Sequence, residues 1–212
     1  MVDLKSMSKK KKAEYIWDYY KPHIIGVIAI ICIVGSLIYS QLTKVDYVFN
    51  LTVIGDVADV NKKNDLENKL TSLVVSDGAI RKQAIVDIIP QASSNNPADI
   101  MPVEYMQRFM AKLSVGELDV VIMDKNVFET LAQQDILLRL DNTPSLNLAS
   151  IKSEKLEARS GDNKMTVYAI NAEGIEILKD IGYDTENKVI SIISSTKQKE
   201  NGILVLKWLL NR

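Results

Sequence analysis

The chain has 212 residues, with 26 lysines and arginines against 27 acids, one histidine, one cysteine and a formal charge of −1. That balance offers no broad basic field to nucleic acid. A single cysteine excludes an intrachain disulfide, and His23 and Cys32 both precede residue 43, so the rest holds no thiol nucleophile, histidine triad or zinc site of ordinary ligands.

Six lysines (5, 9, 10, 11, 12 and 21) face Asp3, Glu14 and Asp18 in the first 23 residues, a balance of +3, which leaves −4 on the remainder. From Ile24 to Leu42 the chain is uncharged and almost wholly apolar. The 22 residues between Lys21 and Lys44 reach about 33 Å as a helix, enough to cross a hydrocarbon core. A cleavable signal would end at a small-x-small site. Cuts after Ser40 or Ser36 would put the bulky Ile38 or Val34 in the recognition position. Cys32 follows Ile31 and lacks the small residue that precedes a lipid-modified cysteine, so the segment reads as an uncleaved anchor. Lysine asymmetry keeps the N-terminus cytoplasmic and exports the C-terminal part. Tyr15, Trp17, Tyr19 and Tyr20 suit the headgroup region, and Pro22 and His23 read as boundary residues of a helix that starts at the interface. The expected organisation is therefore a cytoplasmic basic segment (1–23), a transmembrane helix (24–42) and an extracytoplasmic α/β domain (43–212).

In the exported part, Tyr47 to Ile54 reads as a strand, and Leu66, Leu70 and Leu73 have helical spacing with Asn61 or Asn64 as cap. Gln83 to Ile89 is a second apolar run closed by Pro90, and QASSNNPADIMP (91–102) a loop. Met106, Phe109, Met110 and Leu113 mark a helix ending at Gly116. Leu118 to Met123 is a buried strand, and Asp124 stands at the N-cap of a helix carrying Val127, Phe128 and Leu131. Residues 141–164 are polar and read as a connection with little core. Met165 to Ile170 resumes as a strand, Ile175 to Ile181 as a short helix closed by Gly182, Val189 to Ile193 as a strand and Lys197 to Leu210 as the last helix. Strands alternating with helices imply one mostly parallel sheet with helices on both faces, an α/β fold. Ile203 to Leu210 is apolar nearly all round, which favours deep packing over a partner-facing surface. The sequon Asn50-Leu51-Thr52 falls inside a strand and is discounted.

The stretches GELDVVIMD (116–124) and FETLAQQDILLRLD (128–141), then VYAIN (167–171), GIEILKDIG (174–182) and SSTKQKENGILVLKWLL (194–210) with Glu200, Asn201 and Trp208, resemble extracellular solute-binding proteins of ABC importers. The resemblance covers about half of the exported part. It implies the type II binding-protein sheet order 2-1-3-5-4, in a single lobe: only about two dozen residues separate stretches between which the family carries a long second-lobe segment. Half of a clamshell's ligand cage would be absent.

Ligands of open parallel sheets sit beyond the carboxyl ends of the strands. The candidate residues there are Asp56, Ser93, Ser94, Asp124 and Asn171, each with a structural alternative as turn or cap, and for Asp124 capping is the favoured reading. Among exported aromatics only Tyr183 falls in such a loop, which disfavours a sugar platform. No catalytic motif, metal site or cofactor is expected. The chain reads as a membrane-anchored recognition module whose partners are the lipid bilayer and a membrane or envelope protein. The alternative is a tethered receptor for a small polar solute, linked to an importer.

Overall fold

A computed structural model describes residues 8–55, 59–76, 79, 81–91, 101–159 and 164–211. The chain divides into two units, Met1–Val45 and Asp46–Arg212. In the first, helix α1 runs from Lys9 to Thr43, and its stretch Tyr19–Thr43, 25 residues with none of it buried by protein, is long and apolar enough to cross a membrane. Pro22 lies inside this helix and does not start it. Helix-favouring residues before it carry the helix across the one backbone hydrogen bond that proline cannot donate.

The second unit is an α/β domain. Its elements in chain order are β1 (Asp46–Ile54), α2 (Val60–Val74), β2 (Lys82–Ile89), α3 (Val103–Val115), β3 (Val120–Asp124), α4 (Lys125–Gln133), β4 (Lys155–Arg159), β5 (Met165–Asn171), α5 (Glu176–Asp180), β6 (Lys188–Ile192) and α6 (Lys199–Leu210). One six-stranded sheet has the order β2-β1-β3-β6-β5-β4. β1 pairs in parallel with β2 and β3, whereas β3–β6, β6–β5 and β5–β4 are antiparallel. Four strands thus run one way and β6 and β4 the other. The five strands expected from the sequence lie in the expected order, and β4 is added at the edge.

Period-two alternation splits the strands between two cores. Phe49, Leu51 and Val53 of β1, Val120 and Ile122 of β3, and Ile190 and Ile192 of β6 join Leu66 and Leu70 of α2, Leu178 of α5, and Ile203, Val205, Leu206 and Leu209 of α6. On the other face Val121, Met123, Tyr168 and Val189 pack with Phe109 of α3 and Val127, Phe128 and Leu131 of α4. Helices therefore cover both faces. α6 is the packed helix its composition suggests, with Leu204 left exposed.

Three local expectations are corrected. Asp59, not Asn61 or Asn64, caps α2, its Oδ1 accepting from the N–H groups of Asn61 at 2.9 Å and Lys62 at 3.2 Å. The connection 141–164 is not core-poor: Leu146 and Ile151 are buried in the first cluster, next to Leu140. Residues 155–159 form β4, whose Leu156 and Ala158 lean on the second cluster. Isolated apolar residues in a charged stretch conceal such an edge strand, because only one of its faces is buried.

Candidate functional site

Chain direction brings one set of ends together along an upper edge of the sheet. Ile54 pairs with Ile89, Asp124 with Lys188 and Asn171 with Val189. Because β6 is reversed, this edge holds its first residue beside the last residue of β3. Asp124 and Asn171 share the edge two strand spacings apart, about 10 Å. Asp56, Ser93 and Ser94 lie outside the described residues.

Asp124 occupies the N-cap position of α4 with the extended backbone a cap needs, yet its side chain caps nothing. Its Oδ1 instead accepts from Lys188 Nζ at 2.6 Å, with the two side chains only 18% and 11% exposed. This corrects the capping expectation. The antiparallel register places a lysine directly opposite, and a charged donor outcompetes neutral amides for a carboxylate. The first N–H of α4, that of Lys125, donates to Asn187 O at 3.1 Å, from a residue held in the left-handed region at φ 55°. Asp124 Oδ2 is buried and has no hydrogen-bond donor among the described residues.

Tyr183, in the turn after α5, closes the end of β1. Its hydroxyl donates to Ile54 O at 2.8 Å, and the residue is 2% exposed. Gly55, at φ 139°, leaves room for the ring, since a Cβ there would lie 2.8 Å from Tyr183 Cε2. Lys188 Nζ stands 5.5 Å from the ring centroid, so the lysine lies between a carboxylate and a π face. Burial raises the Tyr183 pKa far above its ordinary value, and the negative charges of Asp124 and Asp184 add to the rise. The phenol is therefore a fixed donor.

Asn171 accepts from Glu173 N–H at 2.8 Å through its Oδ1 and donates to Glu154 Oε2 at 3.3 Å. It makes a turn and ties β5 to the start of β4. Of the two described candidates, Asp124 joins a cluster and Asn171 does not, and the partners Tyr183 and Lys188 were not candidates. A signal for Lys188 exists in the sequence: a lysine opens the apolar run KVISI (188–192), and a charge there needs a partner if the strand is buried.

At the opposite edge lies an open depression of about 380 Å³, lined among others by Asp135, Leu137, Arg139, Tyr168, Ser194 and Lys199. Tyr168 donates its hydroxyl to Asp135 Oδ1 at 3.4 Å, and Ser194 donates to Asp135 O at 3.1 Å. Among the described residues no three His, Cys, Asp or Glu side chains converge to hold a metal ion.

Comparison of the chain with protein-family models, with curated proteins and with solved structures gives no match.

Proposed function

We propose that this chain is a membrane-anchored extracytoplasmic recognition module that acts through protein contacts and without catalysis. The observation that carries the reading is the occupation of the strand ends. The position beyond β1 and β3, where an open α/β sheet receives a small ligand, is taken by the chain's own Tyr183 ring and by the Asp124–Lys188 pair. A solute entering there would have to displace a buried phenol and break a charged hydrogen bond. The apolar helix α1 supplies the anchor, and the lysines that precede it support a cytoplasmic N-terminus. The order of the five expected strands supports likeness to one lobe of a solute-binding protein, with recognition by an open surface in place of a closing cleft.

One observation favours the second reading, a tethered receptor for a small polar solute. The buried Oδ2 of Asp124 has no donor among the described residues, and a ligand ammonium that reached it would supply one.

The test has three arms on the full-length chain. Single cysteines at Ser6 and Lys152, in a Cys32→Ser background, should differ on intact cells, with only position 152 labelled by an impermeant thiol reagent; the reverse pattern overturns the orientation. Photocrosslinking residues scanned over exposed positions of 46–212 in cells should give a discrete adduct confined to one face, and none at any position sinks the contact role. Sugars, amino acids and amines should leave the thermal midpoint unmoved, whereas a rise that grows with concentration transfers the assignment to the receptor.

A further inference from the structure

Among the described residues the outer strands of the sheet are β2 and β4. β4 is five residues long and carries Lys155, Glu157 and Arg159, the short charged edge that resists pairing with another strand. β2 is different. Its eight residues, Lys82-Gln-Ala-Ile-Val-Asp-Ile-Ile89, are mostly apolar and contain no proline, a composition that invites strand addition.

Two outward amides of β2 are nevertheless engaged. β1 takes the carbonyls of Arg81 and Ile89, through the N–H groups of Asp46 and Gly55, so Ala84 and Val86 turn their N–H groups away from β1. Both meet side chains of α2. Ala84 N–H donates to Thr71 Oγ1 at 2.9 Å, and Val86 N–H donates to Glu67 Oε1 at 2.9 Å. Spacing explains the fit: residues four apart on a helix rise about 6 Å, close to the two-residue step of a strand at about 6.6 Å. Each acceptor is also fixed in place. Thr71 donates its own proton to Glu67 O at 2.7 Å, which leaves a lone pair for Ala84. Glu67 Oε1 is held by Lys63 Nζ at 3.1 Å.

We infer that Glu67 and Thr71 form a lock on the outer edge of β2, which keeps a second copy of this chain from adding its own β2 there. The second copy is the fitting occupant because β2 is compatible with itself. An antiparallel register pairing Ala84 of one copy with Val86 of the other sets Asp87 opposite Gln83 and Lys82 opposite Ile88. No like charges then face one another. The same register puts Ile85 opposite Ile85.

The experiment uses the full-length chain in detergent with Cys32→Ser and Ile85→Cys. Adding Glu67→Ala and Thr71→Val should make the amides of segment 82–89 exchange about ten-fold faster at low protein concentration, the effect of losing hydrogen bonds of this kind. At high concentration, mild oxidation should give a disulfide-linked dimer through position 85. Glu67→Gln with Thr71→Ser retains both acceptors and should behave as the parent. If the double substitution unfolds the domain, Thr71→Val alone frees only Ala84 and carries the same test at lower amplitude. Unchanged exchange removes the lock. Faster exchange without the linked dimer removes its role against a second copy, as does a dimer formed equally by the parent or by the Gln/Ser variant.

Discussion

The sheet has two halves made by different means. In β2-β1-β3 successive strands run parallel, each joined to the next by a helix, and β1 is buried from Phe49 to Ile54. In β6-β5-β4 every pairing is antiparallel, and the half meets β3 across a seam whose partners are far apart in the chain. The long-range polar bonds differ between the halves. In the parallel half Glu67 and Thr71 face β2 at the outer edge, and inside it Thr52 bonds only to Asn50 of the same strand. At and beside the seam they lie inside: Lys188 to Asp124 over 64 positions, Ser191 to Tyr168 O at 2.6 Å, and Asp119 at the lower end. Where neighbouring elements follow one another in sequence, apolar burial and short connections fix the pairing. Where they do not, a one-residue slip would turn each strand inside out, and paired polar groups pin the register.

The largest expected effect tests whether the whole stretch between α4 and β4, which begins before residue 141, belongs to the antiparallel half. Leu140 is fully buried, and its N–H donates to Val167 O at 2.8 Å. Leu140→Ala should cost about 3 kcal/mol in urea denaturation, similar to Leu51→Ala at the centre of β1. A loss under about 1 kcal/mol, small for a buried leucine, would make the connection a passive loop and remove half of the contrast.

Next comes the pin at the top of the seam. Lys188→Met strands the Asp124 carboxylate. Breaking a buried pair costs several kcal/mol, but here both groups keep some solvent and Asp124 could turn to cap α4, so about 2 kcal/mol is expected. Adding Asp124→Asn should restore most of it. If the double variant is no better than Lys188→Met, the pair is not coupled and the seam is held by burial alone.

How much was legible beforehand divides along the same line. YVFNLTVI, QAIVDII and LDVVIM are apolar runs bounded by turn residues, and Gly116 at φ 68° ends α3 where the sequence puts its cap. The strands of the parallel half could therefore be read from the sequence, although the cap of α2 could not. β4 could not, because KLEAR offers only Leu156 and Ala158 and its meaning depends on β5 as neighbour. The Asp124 cluster was half legible. The strand end marked the aspartate, but its partner Lys188 is set by an antiparallel register that local sequence does not encode, and so a carboxylate expected to cap a helix holds a lysine.

A smaller effect concerns Gly55, at the end of β1. Gly55→Ala must accept φ 139° and push the Tyr183 ring aside, at about 1.5 kcal/mol. Tyr183→Phe keeps the ring but loses the bond to Ile54 O, and should cost about 1 kcal/mol. Should Gly55→Ala prove neutral by thermal melting, the ring is not the tight closure of β1 that separates this strand end from an open ligand position.

The smallest effect is a pH dependence at the lower end of the seam. Asp119 is 3% exposed. Its Oδ2 accepts from Asn50 N–H at 2.8 Å, its Oδ1 accepts from the Thr196 hydroxyl, and Thr196 Oγ1 accepts from Gln198 N–H at the start of α6. Burial raises its pKa above the ordinary 3.8, and the bonds from Thr196 and Asn50 pull it only part of the way back. Between 3.8 and the raised value the folded state binds more protons than the unfolded one, so this group's contribution to stability falls as pH rises through that window, and the loss persists above it. Asp119→Asn removes the titration and keeps an oxygen for Asn50. Other carboxylates act alike in both proteins. The stability of Asp119→Asn minus that of the parent should therefore climb as pH rises above 3.8 and then level off. Urea midpoints taken at intervals across the acid range measure it. A difference that falls with pH would mean the seam stabilises the carboxylate, and Asp119 would then be a charged pin like Asp124.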